Sequence, residues 1–241
     1  ASFFCSRRIE KNFWYMKLNI KILLEFFDNK NSSKKGDANA LISVFGEEMN
    51  AALYKHFRKN QVDILSESVL PGTNKGNRLD RWIVDRENNV LFQCEIKNWS
   101  AAAIGGKSLI TDADDEKIKE VAKYYWNREL KERFSEKAEQ PNGVSKVLLK
   151  MKAPEKFQGL VISPLLIYWM PVSAFEGILD PFSEISVKEL ENLPDNVSFT
   201  RLSIFSVSLY LRHLYKKGIK FVDLDMPDFE RRMRMMNDLQ M

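Results

Sequence analysis

The sequence predicts an α/β protein with a mixed central sheet flanked by helices. Two observations lead to this. Hydrophobic periodicity passes from helical to alternating and back again, in the order α-β-β-β-α-β. Two of the alternating runs, 78–85 and 90–99, flank the short polar turn RENN (86–89), the pattern of an antiparallel hairpin.

Each element follows from local pattern. Residues 1–30 read as helical, since Leu, Ile and Phe recur at helical spacing between 13 and 27. The polar stretch DNKNSSKKGD (28–37) reads as a linker. A second helix spans about 38–59, with Leu41, Phe45, Met49 and Ala52 on one face and Glu48 falling among them; Glu47 lies near the edge of that face. Strands are predicted at 62–70, 78–85 and 90–99. A long helix follows, with Thr111 as N-cap, acidic residues in its first turn, and Ile118, Val121, Ala122 and Tyr125 along its apolar stripe. It ends before Pro141-Asn142-Gly143. Further strands are expected at 144–151, 159–169 and 199–207, the last leading into a helix, and a final helix begins after Pro227. This divides the chain into an N-terminal helical arm and linker (1–36), a core (37–170) and a C-terminal helical extension packed on it (171–241).

Composition bounds the chemistry. The 241 residues carry 44% hydrophobic and 29% charged side chains, which fits a folded chain rather than a disordered one. A net charge of +4 permits a polyanionic partner without requiring one. Cys5 and Cys94 stand far apart, as expected of reduced thiols in the cytoplasm. His56 and His213 have no second ligand nearby in sequence, which argues against a Cys/His zinc site. No apolar run has the length of a membrane span. Gly106-Lys107-Ser108 resembles the end of a phosphate-binding loop, but Ala101 stands where that motif needs glycine, so the segment reads as a flexible loop able to approach nucleic acid.

The third strand carries the candidate chemistry. Val90, Phe92, Cys94 and Ile96 form one face; Gln93, Glu95, Lys97 and Trp99 form the other. The turn places Asp80 roughly opposite Glu95, and Glu48 adds a third carboxylate if its helix packs on the sheet. Hard cations need such clustered oxygens. Asp80, fourteen intervening residues and then Glu95-Ile96-Lys97 resemble the PD-(D/E)XK nuclease superfamily, and the EIKNW string (95–99) looks like its nuclease-related domains. Leu79 stands where the name-giving proline would be. The likeness covers about residues 38–150.

The resemblance implies a restriction-endonuclease-like αβββαβ core and a metal-dependent nuclease cleaving DNA to leave a 5′-phosphate. Asp80, Glu95 and the Ile96 carbonyl would bind Mg²⁺ or Mn²⁺, with Glu48 as a further ligand and Glu47 its substitute. Lys97 would position the nucleophile or stabilise the phosphorus centre. Trp99, Gln93, Lys107 and Arg78 are candidate nucleic-acid contacts. Trp82 and Trp99 suit the core or a base-stacking role. The lysines at 146, 150, 152 and 156 and the arginines at 231, 232 and 234 suit either phosphate contact or a solvated face. Met226, Met233, Met235 and Met236 suit core packing or docking. The alternative is a non-catalytic nucleic-acid-binding or assembly subunit using the same fold; on either reading the expected assembly is a homodimer or a larger nuclease complex.

Overall fold

A computed structural model describes residues 9–10, 13–29, 45–65, 68–69, 78–132, 145–173, 178–190, 193 and 196–238. The chain opens with β1 (Ile9–Glu10) and β2 (Phe13–Asn19), then α1 (Ile20–Asp28) and α2 (Glu47–Phe57). Five strands follow: β3 (Val62–Leu65), β4 (Ser68–Val69), β5 (Arg78–Leu79), β6 (Arg81–Asp85) and β7 (Val90–Lys97). Next come α3 (Asp115–Tyr125), which runs on as a π-helical segment Trp126–Glu132, then β8 (Val161–Tyr168), β9 (Phe182–Ser186) and β10 (Arg201–Ser206). The described chain closes with α4 (Val207–Lys216), β11 (Phe221–Asp225) and α5 (Pro227–Asp238).

Six strands form the central sheet in the order β3-β6-β7-β8-β10-β9. The β3, β6 and β7 pairings are antiparallel; β7–β8 and β8–β10 are parallel; β10–β9 is antiparallel. The sheet is therefore mixed. The long connection through α3 supplies the crossover that a parallel pair needs. Helices cover both faces. On one face Tyr54 of α2 packs edge-on against Phe92 and Phe205, and Phe27 of α1 packs on Trp169. On the other, Tyr125 of α3 meets Tyr168, and the segment 145–157 lies over Trp82, Val84 and Leu91 through Met151 and Phe157. No helix among the described residues is long and apolar enough to cross a membrane.

The hairpin forms as the sequence predicts. Its turn closes with Asn89 at φ 56°, a left-handed conformation that asparagine tolerates. Asp85 secures it by accepting from the Asn88 main chain and from Arg58 at 2.6 Å.

Four expectations change. The N-terminal arm is not wholly helical. Residues 13–19 form β2, which pairs with β11, and Asn19 caps α1 by accepting from Ile22 N–H. The C-terminal region is not a helical extension alone: β10 lies where a strand is expected over 199–207, and with β9, which is not expected, it belongs to the central sheet. Packing therefore crosses the boundaries drawn at 36 and 170: Ile20, Leu23, Leu24 and Phe27 share one core with Leu165 and Ile204. Residues 145–148 form a 3-10 turn rather than a strand. The N-cap of α3 is Asp114, which accepts from Lys117 N–H at 2.8 Å; the Thr111 carbonyl goes instead to Arg212. Residues 38–44 of the expected second helix, and the loop 71–77, lie outside the described residues.

Candidate active site

β6 and β7 bring two carboxylates to one end of the sheet. Arg81 pairs with Cys94 in the ladder, so Asp80, at the bend just before β6, lies level with Glu95. The Asp80 carboxylate accepts from Ile96 N–H at 2.7 Å. In an antiparallel ladder the N–H and C=O of one residue face the same neighbour. The Ile96 carbonyl therefore points to the Asp80 side. Glu95 is 3% exposed, and its carboxylate pairs with the Lys97 ammonium, which also lies 5.6 Å from the centre of the Trp99 ring.

Electrostatics at Glu95 follow from this packing. Burial pushes its pKa up, the Asp80 charge adds to that, and Lys97 and Lys146 oppose it; the result is about 7. A buried carboxyl raised by a neighbouring carboxylate forms with it a donor pair that a divalent cation would relieve. With the Ile96 carbonyl, these are the oxygens that could hold a hard cation here. Among the described residues, no three His, Cys, Asp or Glu side chains form a metal-holding cluster. The site thus rests on two carboxylates.

Glu48 is not the third. It is buried on α2, but its two oxygens accept from Asp228 N–H at 2.7 Å and Phe229 N–H at 2.6 Å. It caps the N-terminus of α5 from outside that helix. The neighbouring Arg81 side chain lies on the Cys94 face, opposite that of Glu95, with its guanidinium 3.7 Å from Asp228. Burial is the main cause raising the Glu48 pKa. Glu47, one residue earlier, is half-buried.

The other candidates separate. Gln93 is fully buried: its amide nitrogen donates to the Val147 and Leu149 carbonyls, and its oxygen accepts from Met151 N–H at 3.2 Å. Its amide is therefore spent on main chain instead of being open to nucleic acid. Trp82 is buried in the cluster beneath segment 145–157. Trp99 is half-buried, edge-on to Tyr168 at 6.2 Å. Lys107 is exposed, pairs with Glu120 and lies over the Tyr124 ring. The Arg78 backbone is in β5; its side chain lies outside the described residues.

The loop after β7 is tied down at several points, unlike the free loop expected. Ala101 N–H donates to Phe27 C=O, and Leu109 N–H donates to Asp28 C=O. Tyr125 O–H donates to Lys107 C=O at 2.6 Å, and Arg128 donates to Ile104 C=O at 2.8 Å. Gly106 is required at its position because a Cβ there would run into the Tyr125 ring.

Sequence reasoning did not place Lys146 at the site. The signal was present in the basic run beginning at Lys146, but nothing local showed that the run lies against β7. Compared with protein-family models, curated proteins and solved structures, the chain matches none.

Proposed function

We propose that the chain is a metal-dependent nuclease that hydrolyses phosphodiester bonds, with DNA as substrate, at a site of PD-(D/E)XK type on a restriction-endonuclease-like fold. One observation carries the reading: Asp80 and Glu95 converge beside Lys97 at one end of the β6–β7 hairpin. The strand order supports it too, since α2, the β3-β6-β7 meander, α3 and parallel β8 follow the αβββαβ sequence of elements.

Asp80, Glu95 and the Ile96 carbonyl would hold Mg²⁺ or Mn²⁺. Such an ion, when bound, supplies a water of lowered pKa and neutralises phosphate charge. The protein's own groups do the rest. Lys97 exchanges its Glu95 partner for a phosphate oxygen, placing a fixed positive charge where negative charge develops. The hydrogen bond from Ile96 N–H keeps Asp80 turned toward β7. Trp99 and Tyr168 wall the lysine on one side.

Plasmid and linear DNA incubated with Mg²⁺ or Mn²⁺ test this, beside Asp80→Asn and Lys97→Ala. Metal-dependent cleavage lost in both variants is the expected result. Cleavage undiminished in both would remove the assignment. A second reading, nucleic-acid binding or assembly without catalysis, is favoured by the engagement of Glu48 at α5. It predicts metal-independent, salt-sensitive DNA binding with no cleavage.

A further inference from the structure

The segment 145–157 has the sequence SKVLLKMKAPEKF, with four lysines against one glutamate. It does not form a strand of its own. Gln93 holds it across the Glu95-side face of β7 by three hydrogen bonds to the main chain at 147, 149 and 151. Met151 and Phe157 anchor it further by burying against Trp82, Val84 and Leu91. Its direction is thereby fixed. Lys146 sits at the Glu95 end, close enough for its charge to act on that carboxylate. Phe157 sits toward the hairpin turn, under Arg86.

Apolar side chains point into the core and the lysines stay out. Lys150, Lys152 and Lys156 are exposed, and none of the four lysines forms an ion pair within the described residues. Exposed ammonium groups without a salt-bridge partner among the described residues, carried on a strap that Gln93, Met151 and Phe157 hold to the sheet and that begins beside Glu95, complement the negative charges spaced along a phosphodiester backbone. We propose that segment 146–156 is the track along which the phosphodiester backbone of a nucleic-acid strand lies as it reaches the Asp80–Glu95–Lys97 site. What happens to the strand at the end of the track rests on the nuclease reading; the track itself does not.

The test measures binding apart from cleavage. The full chain, K150A/K152A/K156A and K150R/K152R/K156R are titrated in EDTA against fluorescein-labelled duplex DNA, single-stranded DNA and RNA over a range of NaCl concentrations. The alanine variant is expected to bind about tenfold more weakly, with the slope of log K against log salt flattened by about 2, and the arginine variant to retain both affinity and slope. The three probes show which strand the track takes. An alanine variant that matches the wild type overturns the proposal. So does an arginine variant that falls as far as the alanine one, or a wild-type chain that binds none of the probes. Phosphatidylserine vesicles bound in preference to nucleic acid, with that binding lost in the alanine variant, would assign the lysines to a membrane surface and overturn it too. Adding Mg²⁺ to the same proteins beside Asp80→Asn separates the two ideas. Salt-sensitive binding without cleavage removes the nuclease reading and leaves the track; cleavage lost in Asp80→Asn with binding unchanged in the alanine variant does the reverse.

Discussion

Glu95 lies near the end of β7, and its neighbours pull its proton in opposite directions. Burial and Asp80 favour the neutral acid, while Lys97 and Lys146 favour the carboxylate. The folded chain therefore releases this proton near pH 7, against an ordinary value of 4.5. A carboxyl with a raised folded pKa contributes stability in full below its unfolded value, and that contribution is lost as pH rises toward the folded one. For Glu95 the window runs from about 4.5 to about 7. Asp80→Asn removes the like charge but keeps an oxygen to accept from Ile96 N–H. The variant should lose less stability than the wild type between pH 5 and pH 7.5, read as urea midpoints; equal losses would show that Asp80 does not act on Glu95. The three residues Asp80, Glu95 and Lys97 were legible because strand alternation and a four-residue turn fix both face and register. Glu48 and Gln93 were not. Helical phase showed that Glu48 faces inward, yet what covers that face is α5, some 180 residues away in sequence. Strand parity put Gln93 beside Glu95, but the strap that takes up its amide comes from residues 147–151.

Elements here are held by contacts that their own sequences do not contain. The start of α5 was readable from Pro227, since proline suits the first turn of a helix. Its cap was not, because the capping carboxylate belongs to α2. Residues 13–19 show the same limit: an apolar run of this kind suits helix or strand, and β11 decides the matter by pairing with it. The stretch 145–149 shows it in reverse, for Gln93 takes the Val147 and Leu149 carbonyls that a strand would offer to a neighbour. Removing the Glu48 carboxylate leaves two amide N–H groups at the buried end of α5 without their acceptor. Glu48→Ala should cost about 1–3 kcal/mol in chemical denaturation. Faster amide exchange in the first turn of α5, with the central sheet still protected, is the accompanying signature. Glu48→Gln keeps one oxygen acceptor and should lose less. Unchanged exchange at Asp228 and Phe229 would show that the cap does not hold the helix.

At the scale of the whole molecule, one buried node joins α1 and α4 to the candidate site. Asp28, at the end of α1, accepts from Trp169 Nε1–H and from Arg212 Nη2–H, each at 2.8 Å. Arg212 of α4 also donates to the Ile110 and Thr111 carbonyls, tying down the loop that follows β7. Trp169 donates its own main-chain N–H to Lys97 C=O at 2.9 Å, so the node reaches the lysine of the site in one residue. This is why the N-terminal helix cannot be read as a separable arm. Its buried acid was invisible in sequence, since DNKNSSKKGD begins at Asp28 and looks wholly solvated. Burial raises the Asp28 pKa and Arg212 opposes that rise. Both partners are almost fully buried, so removing one strands the other without compensation. Asp28→Ala should cost about 3–5 kcal/mol. The cycle completed by Arg212→Met and Asp28→Ala/Arg212→Met should show a coupling of about 1–3 kcal/mol, with the double variant losing less than the two single losses combined. The double variant does not recover everything, because Trp169 Nε1–H and the two loop carbonyls still lack partners. Additive losses in that cycle would mean that Asp28 and Arg212 stabilise the fold independently, and that α1 and α4 are not coupled through this pair.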